Sequence, residues 1–97
     1  MVSGLVDMKQ WFVYMVRCVD NSLYTGITTD LKRRVAEHNS TGHLAAKYTR
    51  TRQPVKLVYC EQQASRSTAS KREYALKRLS KKAKEALVLE STAEVNL

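Results

Sequence analysis

Residues 11–19, Trp-Phe-Val-Tyr-Met-Val-Arg-Cys-Val, are apolar or aromatic on both alternating sides of an extended chain, apart from Arg17. A strand of that kind must be covered on both faces, so the remainder of the chain has to supply a layer on each side of it. The 97 residues suffice for one such core. The pattern predicts a single domain over 1–97, with its core in about 11–79, a loosely ordered start at 1–10 and a C-terminal helix and tail at 80–97.

The flanking segments read as partners for that strand. Asp20-Asn21-Ser22 is a turn, because Asp and Asn bond their own backbone and tolerate left-handed conformations, and residues 23–27 are the return strand. A loop with an odd number of residues, such as Asp20 to Ser22, pairs Tyr24 opposite Cys18 and puts Tyr14 and Tyr24 on one face. A two-residue loop would separate them. Gly26 leaves room for close approach beside Tyr24. Thr28, Thr29 and Asp30 are N-cap candidates for a helix over 31–39. Residues 40–54 show no period and end at the only proline, which predicts a long, basic surface loop. Residues 55–61 alternate as a third strand, and a helical pattern runs from Ser65 or Ser67 to Leu89 with a break at Ser80. The order β-β-α-β-α-α describes a small sheet covered by helices, an α+β domain.

The net charge of +8 is concentrated: residues 32–84 hold fifteen Lys and Arg against three acids, and the rest of the chain holds two against six. A basic middle implies a polyanionic partner, nucleic acid first and an anionic membrane second. The 65–89 helices offer Ala and Leu but no Trp or Phe to anchor in a bilayer, which ranks the membrane last. The longest apolar run is too short to span one, and the first residues lack a signal-peptide core, so the expected location is cytoplasmic. Translation could start at Met1 or Met8. Cys18 and Cys60 lie in apolar runs and are expected to be free, buried thiols.

Few side chains remain to carry chemistry. At about 100° per residue, Leu31, Arg34, Val35 and His38 share one helix face, while Lys32 and Arg33 point to solvent or to a bound phosphate. Arg34 could equally snorkel at the stripe's edge, and His38 could simply favour a helix C-terminus. Glu73 flanks the apolar stripe formed by Ala69, Leu76 and Leu79, where a half-buried carboxylate needs a partner, a metal or a raised pKa. An i,i+4 pair with Lys77 is the ordinary alternative. The chain holds no Cys-x-x-Cys pair, His-Glu-x-x-His, Gly-rich phosphate loop or Gly-x-Ser-x-Gly elbow.

Tyr14, then Tyr24-Thr25-Gly26, Arg34 ten residues beyond Tyr24, His38, and Glu73 on a later helix together resemble the GIY-YIG nuclease domain over roughly residues 11–79. The stretches around LYTGIT, HNSTGH and KYTRTRQP are most similar to short, single-domain bacterial members of that superfamily, the YhbQ type. The resemblance implies a three-stranded antiparallel sheet flanked by helices, and Mg²⁺- or Mn²⁺-dependent cleavage of DNA phosphodiesters. By position it implies that Glu73 holds the metal, that Arg34 neutralises the phosphate, and that Tyr14 and Tyr24 flank the attacking water. His38 matches a position that is His or Tyr in relatives. The pattern departs from the family at Phe12, where the family name has Gly, and at Glu85, where many relatives carry Asn.

Elementary chemistry is consistent with those roles. Phosphodiester hydrolysis needs a nucleophilic water and charge neutralisation, and a single carboxylate can serve Mg²⁺, which keeps most of its waters. A metal and Arg34 would both favour phenolate, so either Tyr24 or Tyr14 is the expected base, with His38 as competing base or phosphate ligand. Lys32, Arg33, Lys47, Arg50, Arg52, Lys71, Arg72 and Lys77 are candidate phosphate contacts, about half of them expected to be merely solvated. Tyr48 could stack on a base exposed at a flap, nick or single strand, or anchor its loop on the sheet. Two functions follow: a structure-selective DNA endonuclease of repair or recombination, and an inactive nucleic-acid-binding module.

Overall fold

In the computed structural model, which describes residues 10–91, the both-face apolar run becomes strand β1 (Trp11–Arg17) at the centre of a three-stranded antiparallel sheet. Strands β2 (Leu23–Thr28) and β3 (Lys56–Gln63) flank it in the order β2-β1-β3. Val13 and Met15 face one layer with Tyr59, Ala69 and Leu76, and Leu87 and Val88 pack beside them. Tyr14 and Val16 face the other layer with Cys18 and Val55, closed by Leu31 and Val35. Helices α3 (Arg66–Lys77) and α4 (Lys81–Ser91) therefore cover one face, and α1 (Leu31–His38) covers the opposite one. This is the expected α+β architecture.

The hairpin keeps the expected parity but not the expected pairing. Its connection runs over five residues, Cys18 to Ser22, so Val16 rather than Cys18 stands opposite Tyr24. Asn21 takes φ 71° and Asp20 accepts from the Ser22 amide at 3.0 Å, the local bonding that makes Asp and Asn turn formers. Because a shift of two residues preserves alternation, Tyr14 and Tyr24 still share a face. A bulge between Met15 and Val16 opposite β3 sends both Val58 and Tyr59 toward the Met15 side.

Helix α1 starts at Asp30, whose side chain accepts from the Arg33 amide at 3.0 Å. Its far end is tied down by Asn39, which exchanges hydrogen bonds with the Val55 backbone N–H (2.7 Å) and C=O (3.1 Å). Gln53 adds a bond to the His38 carbonyl at 2.8 Å. The expected loop over 40–54 is corrected here, because it contains a one-turn helix α2 (Lys47–Arg50) whose Thr49, like the preceding Ala45, is buried. One turn is too short to show a helical period, and its inward residue is polar, so no apolar pattern announces it. Ser65 caps α3 in a capping box with Thr68, and the expected break falls at residues 78–80. Glu85 of α4 forms a two-pronged pair with Arg17 at 2.7 and 2.8 Å, pinning α4 to the end of β1. Among the described residues no helix is long and apolar enough to cross a membrane. Of the expected loose start at 1–10, residues 1–9 lie outside the described residues, as does the tail from 92 to 97.

Candidate active site

The site is built where α1, β1, β2 and α2 meet. Tyr14 projects from β1 and is 1% exposed, and its hydroxyl lies 2.7 Å from His38 Nε2. His38 has no exposed surface, and its Nδ1 lies 2.7 Å from the Thr49 hydroxyl oxygen. The Tyr14 and Tyr24 rings both meet the imidazole edge-on, with centroids 5.8 and 5.2 Å away. Gly26, opposite Tyr14 across the strands, has a physical role that its sequence position only hinted at. A Cβ there would sit 2.6 Å from the Tyr14 hydroxyl oxygen and 2.8 Å from Cζ. The room beside Tyr24 is thus filled by the protein's own Tyr14 ring.

Burial sets the protonation states. Removal from water pushes the Tyr14 phenol up to about 12, against the opposing pull of the Arg34 guanidinium. Arg34 does pull Tyr14 toward phenolate, as expected, but desolvation is the larger effect and the net shift is upward. The same burial, aided by Arg34, lowers His38 to about 4, so its imidazole is neutral at pH 7. Tyr14 also feels the charges of Tyr24 and Glu73, which raise its pKa further. One phenol thus senses Arg34, Tyr24 and Glu73 together.

Both candidate charges, Arg34 and Glu73, are occupied by neighbours. Arg34 donates to Glu37 and to the Leu44 carbonyl, each at 2.8 Å. Glu73, whose side chain is 23% exposed, pairs with Lys77 at 3.1 Å, the ordinary i,i+4 alternative. Tyr24 differs from Tyr14: it is only half-buried, and its hydroxyl has no hydrogen-bond partner among the described residues. Tyr48, 37% exposed, stacks on Tyr24 at 5.8 Å and carries the Arg52 guanidinium 3.9 Å from its ring centroid. Of the rim cations, Arg33 pairs with Glu37, Arg52 with Asp20 and Arg72 with Glu61. Arg50 reaches the Ala45 carbonyl. Lys32, Lys47 and Lys71 are exposed and have no ion-pair partner among the described residues. Thr49 and Glu37 are the participants that the sequence did not single out.

Residues 10–86 match the model of the GIY-YIG catalytic domain. The chain belongs to the GIY-YIG family. Among relatives of this GIY-YIG chain, the UPF0213 protein DP2720 of Desulfotalea psychrophila is 57% identical over 84% of this chain and 74% of its own length. The UPF0213 protein lmo0166 of Listeria monocytogenes is 47% identical over 93% and 98%. The solution NMR structure of the UPF0213 protein BH0048 from Bacillus halodurans superimposes with a TM-score of 0.53 at 43% identity, covering 84% of each chain. That of EF2693 from E. faecalis gives 0.57 at 36% identity, over 92% of this chain and 94% of that one. The GIY-YIG domain places the protein in a superfamily of nucleases, and its fold agrees with these short single-domain relatives.

Proposed function

We propose that this GIY-YIG domain is a divalent-metal-dependent DNA endonuclease, selective for flapped, branched or single-stranded structures and serving repair or recombination in the cytoplasm. The observation that carries the reading is that Tyr14 is bonded to His38 and senses Arg34, Tyr24 and Glu73 at once. A domain this small has little surface for reading a long sequence, which favours recognition of DNA shape.

Among the described residues no three His, Cys, Asp or Glu side chains are grouped to form a metal cage. A single, partly exposed carboxylate such as Glu73 nevertheless fits hydrated Mg²⁺ or Mn²⁺, which need few protein ligands. Glu73 would hold the ion, releasing Lys77; once bound, the ion supplies positive charge to the phosphate oxygens. Arg34 offers its planar fork to the phosphate in exchange for Glu37. Tyr24, with its unengaged hydroxyl, is our candidate base. It would first give up its own proton to solvent, a loss that the ion and Arg34 would both favour, and as phenolate take one from water. Tyr14, held protonated by burial, orients by hydrogen bonding instead. His38 is enclosed with both nitrogens engaged, so it acts on Tyr14 and not on water.

The test is cleavage of linear, flapped and branched DNA with Mg²⁺, with Mn²⁺ and with chelator. Metal-dependent cleavage should fall at least about 10³-fold in Glu73→Gln, the loss of several kcal/mol of charge stabilisation. The stability of that variant should stay within about 0.5 kcal/mol of the parent, since an exposed i,i+4 pair contributes little. Tyr24→Phe should lose about 10²-fold or more while still binding DNA. Salt-sensitive binding with no cleavage under any metal would instead identify a binding module.

A further inference from the structure

Thr49 and His38 are polar side chains with no exposed surface, and each must satisfy its hydrogen-bonding groups internally. A threonine hydroxyl has a single hydrogen. Thr49 Oγ1 lies 3.2 Å from the Ala46 carbonyl, which can only accept, and 2.7 Å from His38 Nδ1, which donates or accepts according to tautomer. With the hydroxyl hydrogen on the Ala46 carbonyl, the oxygen turns a lone pair toward His38 Nδ1, and a bond forms there only if Nδ1 carries the imidazole hydrogen. A neutral imidazole has one such hydrogen, so Nε2 is left as a bare acceptor. The Tyr14 hydroxyl, 2.7 Å from Nε2, must then donate inward.

We propose that Thr49 is a positioning residue that fixes His38 as its Nδ1–H tautomer, so that Tyr14 points its hydrogen into the protein and its lone pairs toward the substrate side. Tyr14 thereby becomes an obligate acceptor, able to orient a water or to receive a hydrogen bond from Arg34. Were His38 the other tautomer, Nε2–H would occupy a Tyr14 lone pair and turn the phenol's own hydrogen outward. The same turn of helix carries Tyr48, which stacks on Tyr24, so α2 orders the surroundings of both phenols. What Tyr14 contributes to cleavage rests on the proposed nuclease function; the tautomer does not.

The experiment has two arms on the full chain. Long-range ¹H–¹⁵N NMR with labelled histidine, with the exposed His43 assigned by His43→Asn, reads the tautomer at pH 7 without DNA. His38 should carry its hydrogen on Nδ1 in the parent and in Thr49→Ser, and should lose that preference in Thr49→Val, which keeps the volume but not the acceptor. In the second arm, Thr49→Val should lower kcat about 10- to 100-fold with KM for DNA nearly unchanged, and Thr49→Ser should restore the rate. A hydrogen found on Nε2 of the parent overturns the proposal whatever the activity. So does Thr49→Val cleaving at the parental rate despite an altered tautomer. A parent that cleaves nothing sinks the nuclease reading, while the NMR arm still decides the tautomer.

Discussion

Gly26→Ala is expected to melt well below the parent and to cleave DNA at least about 100-fold more slowly, although Gly26 carries no reactive group. Its added Cβ would lie 2.6 Å from the Tyr14 hydroxyl oxygen, 2.8 Å from Cζ and 3.1 Å from Cε2. A surface tyrosine would swing aside. This ring is 1% exposed, fixed to His38 at 2.7 Å, and packed among Val16, Cys18 and Val55. Overpacking of this kind costs about 1–3 kcal/mol, which lowers the melting temperature of a domain this size by roughly 5–20 °C. Displacing the phenol also breaks its contact with the neutral imidazole, so rate and stability should fall together. Thermal melts of Gly26→Ala, Tyr14→Ala and the double variant provide the check. With the ring gone the alanine should cost almost nothing, giving a strongly non-additive cycle. Equal costs in both backgrounds would refute the steric account.

The second large effect concerns pH. His38 is held at about 4 when folded, below its ordinary 6.5, because burial and the nearby Arg34 charge both oppose protonation, with Glu37 only partly offsetting them. The unfolded chain therefore binds the extra proton first on acidification. The contribution of the neutral imidazole is complete above 6.5, shrinks as pH falls from 6.5 toward 4, and is gone below that. A shift of this size corresponds to about 3 kcal/mol, a large share of a small domain's stability. Denaturant unfolding across pH 7 to 4.5 should show that slope in the parent and little of it in His38→Gln. Below about 4.5 the carboxylates of Glu85, Glu61 and Asp20, all held low by hydrogen bonds and cationic partners, add a further loss. A flat parental profile between pH 6.5 and 4.5 would mean that His38 accepts its proton without penalty.

Most of the architecture was legible because it depends on the periodic burial of apolar groups. The run from Trp11 to Val16 declared a strand covered on both faces; Leu31 and Val35 declared the face of α1 that closes over it; Ala69 and Leu76 declared that of α3. Alternation within the hairpin puts Tyr14 and Tyr24 together for any odd connection, and the five-residue one, two longer than expected and with Val16 as the facing partner, keeps that parity. The order and spacing of the tyrosines, Arg34, His38 and Glu73 were enough for the family.

What the amino-acid order determined by itself was therefore the layers and the list of reactive groups, while the length of the hairpin connection decided that the two phenols share a face. Only the tertiary structure decided the condition of those groups: Tyr14 buried with its phenol pushed up, His38 sealed between Tyr14 and Thr49, and Arg34 and Glu73 occupied by Glu37 and Lys77. It also decided that residues 47–50 turn inward as helix and that Gly26 clears space for a ring twelve positions earlier. The physical reason is range. Apolar burial repeats along a strand or helix and leaves a period, whereas a hydrogen bond, a desolvated phenol or a steric clearance joins single atoms from distant segments and leaves none.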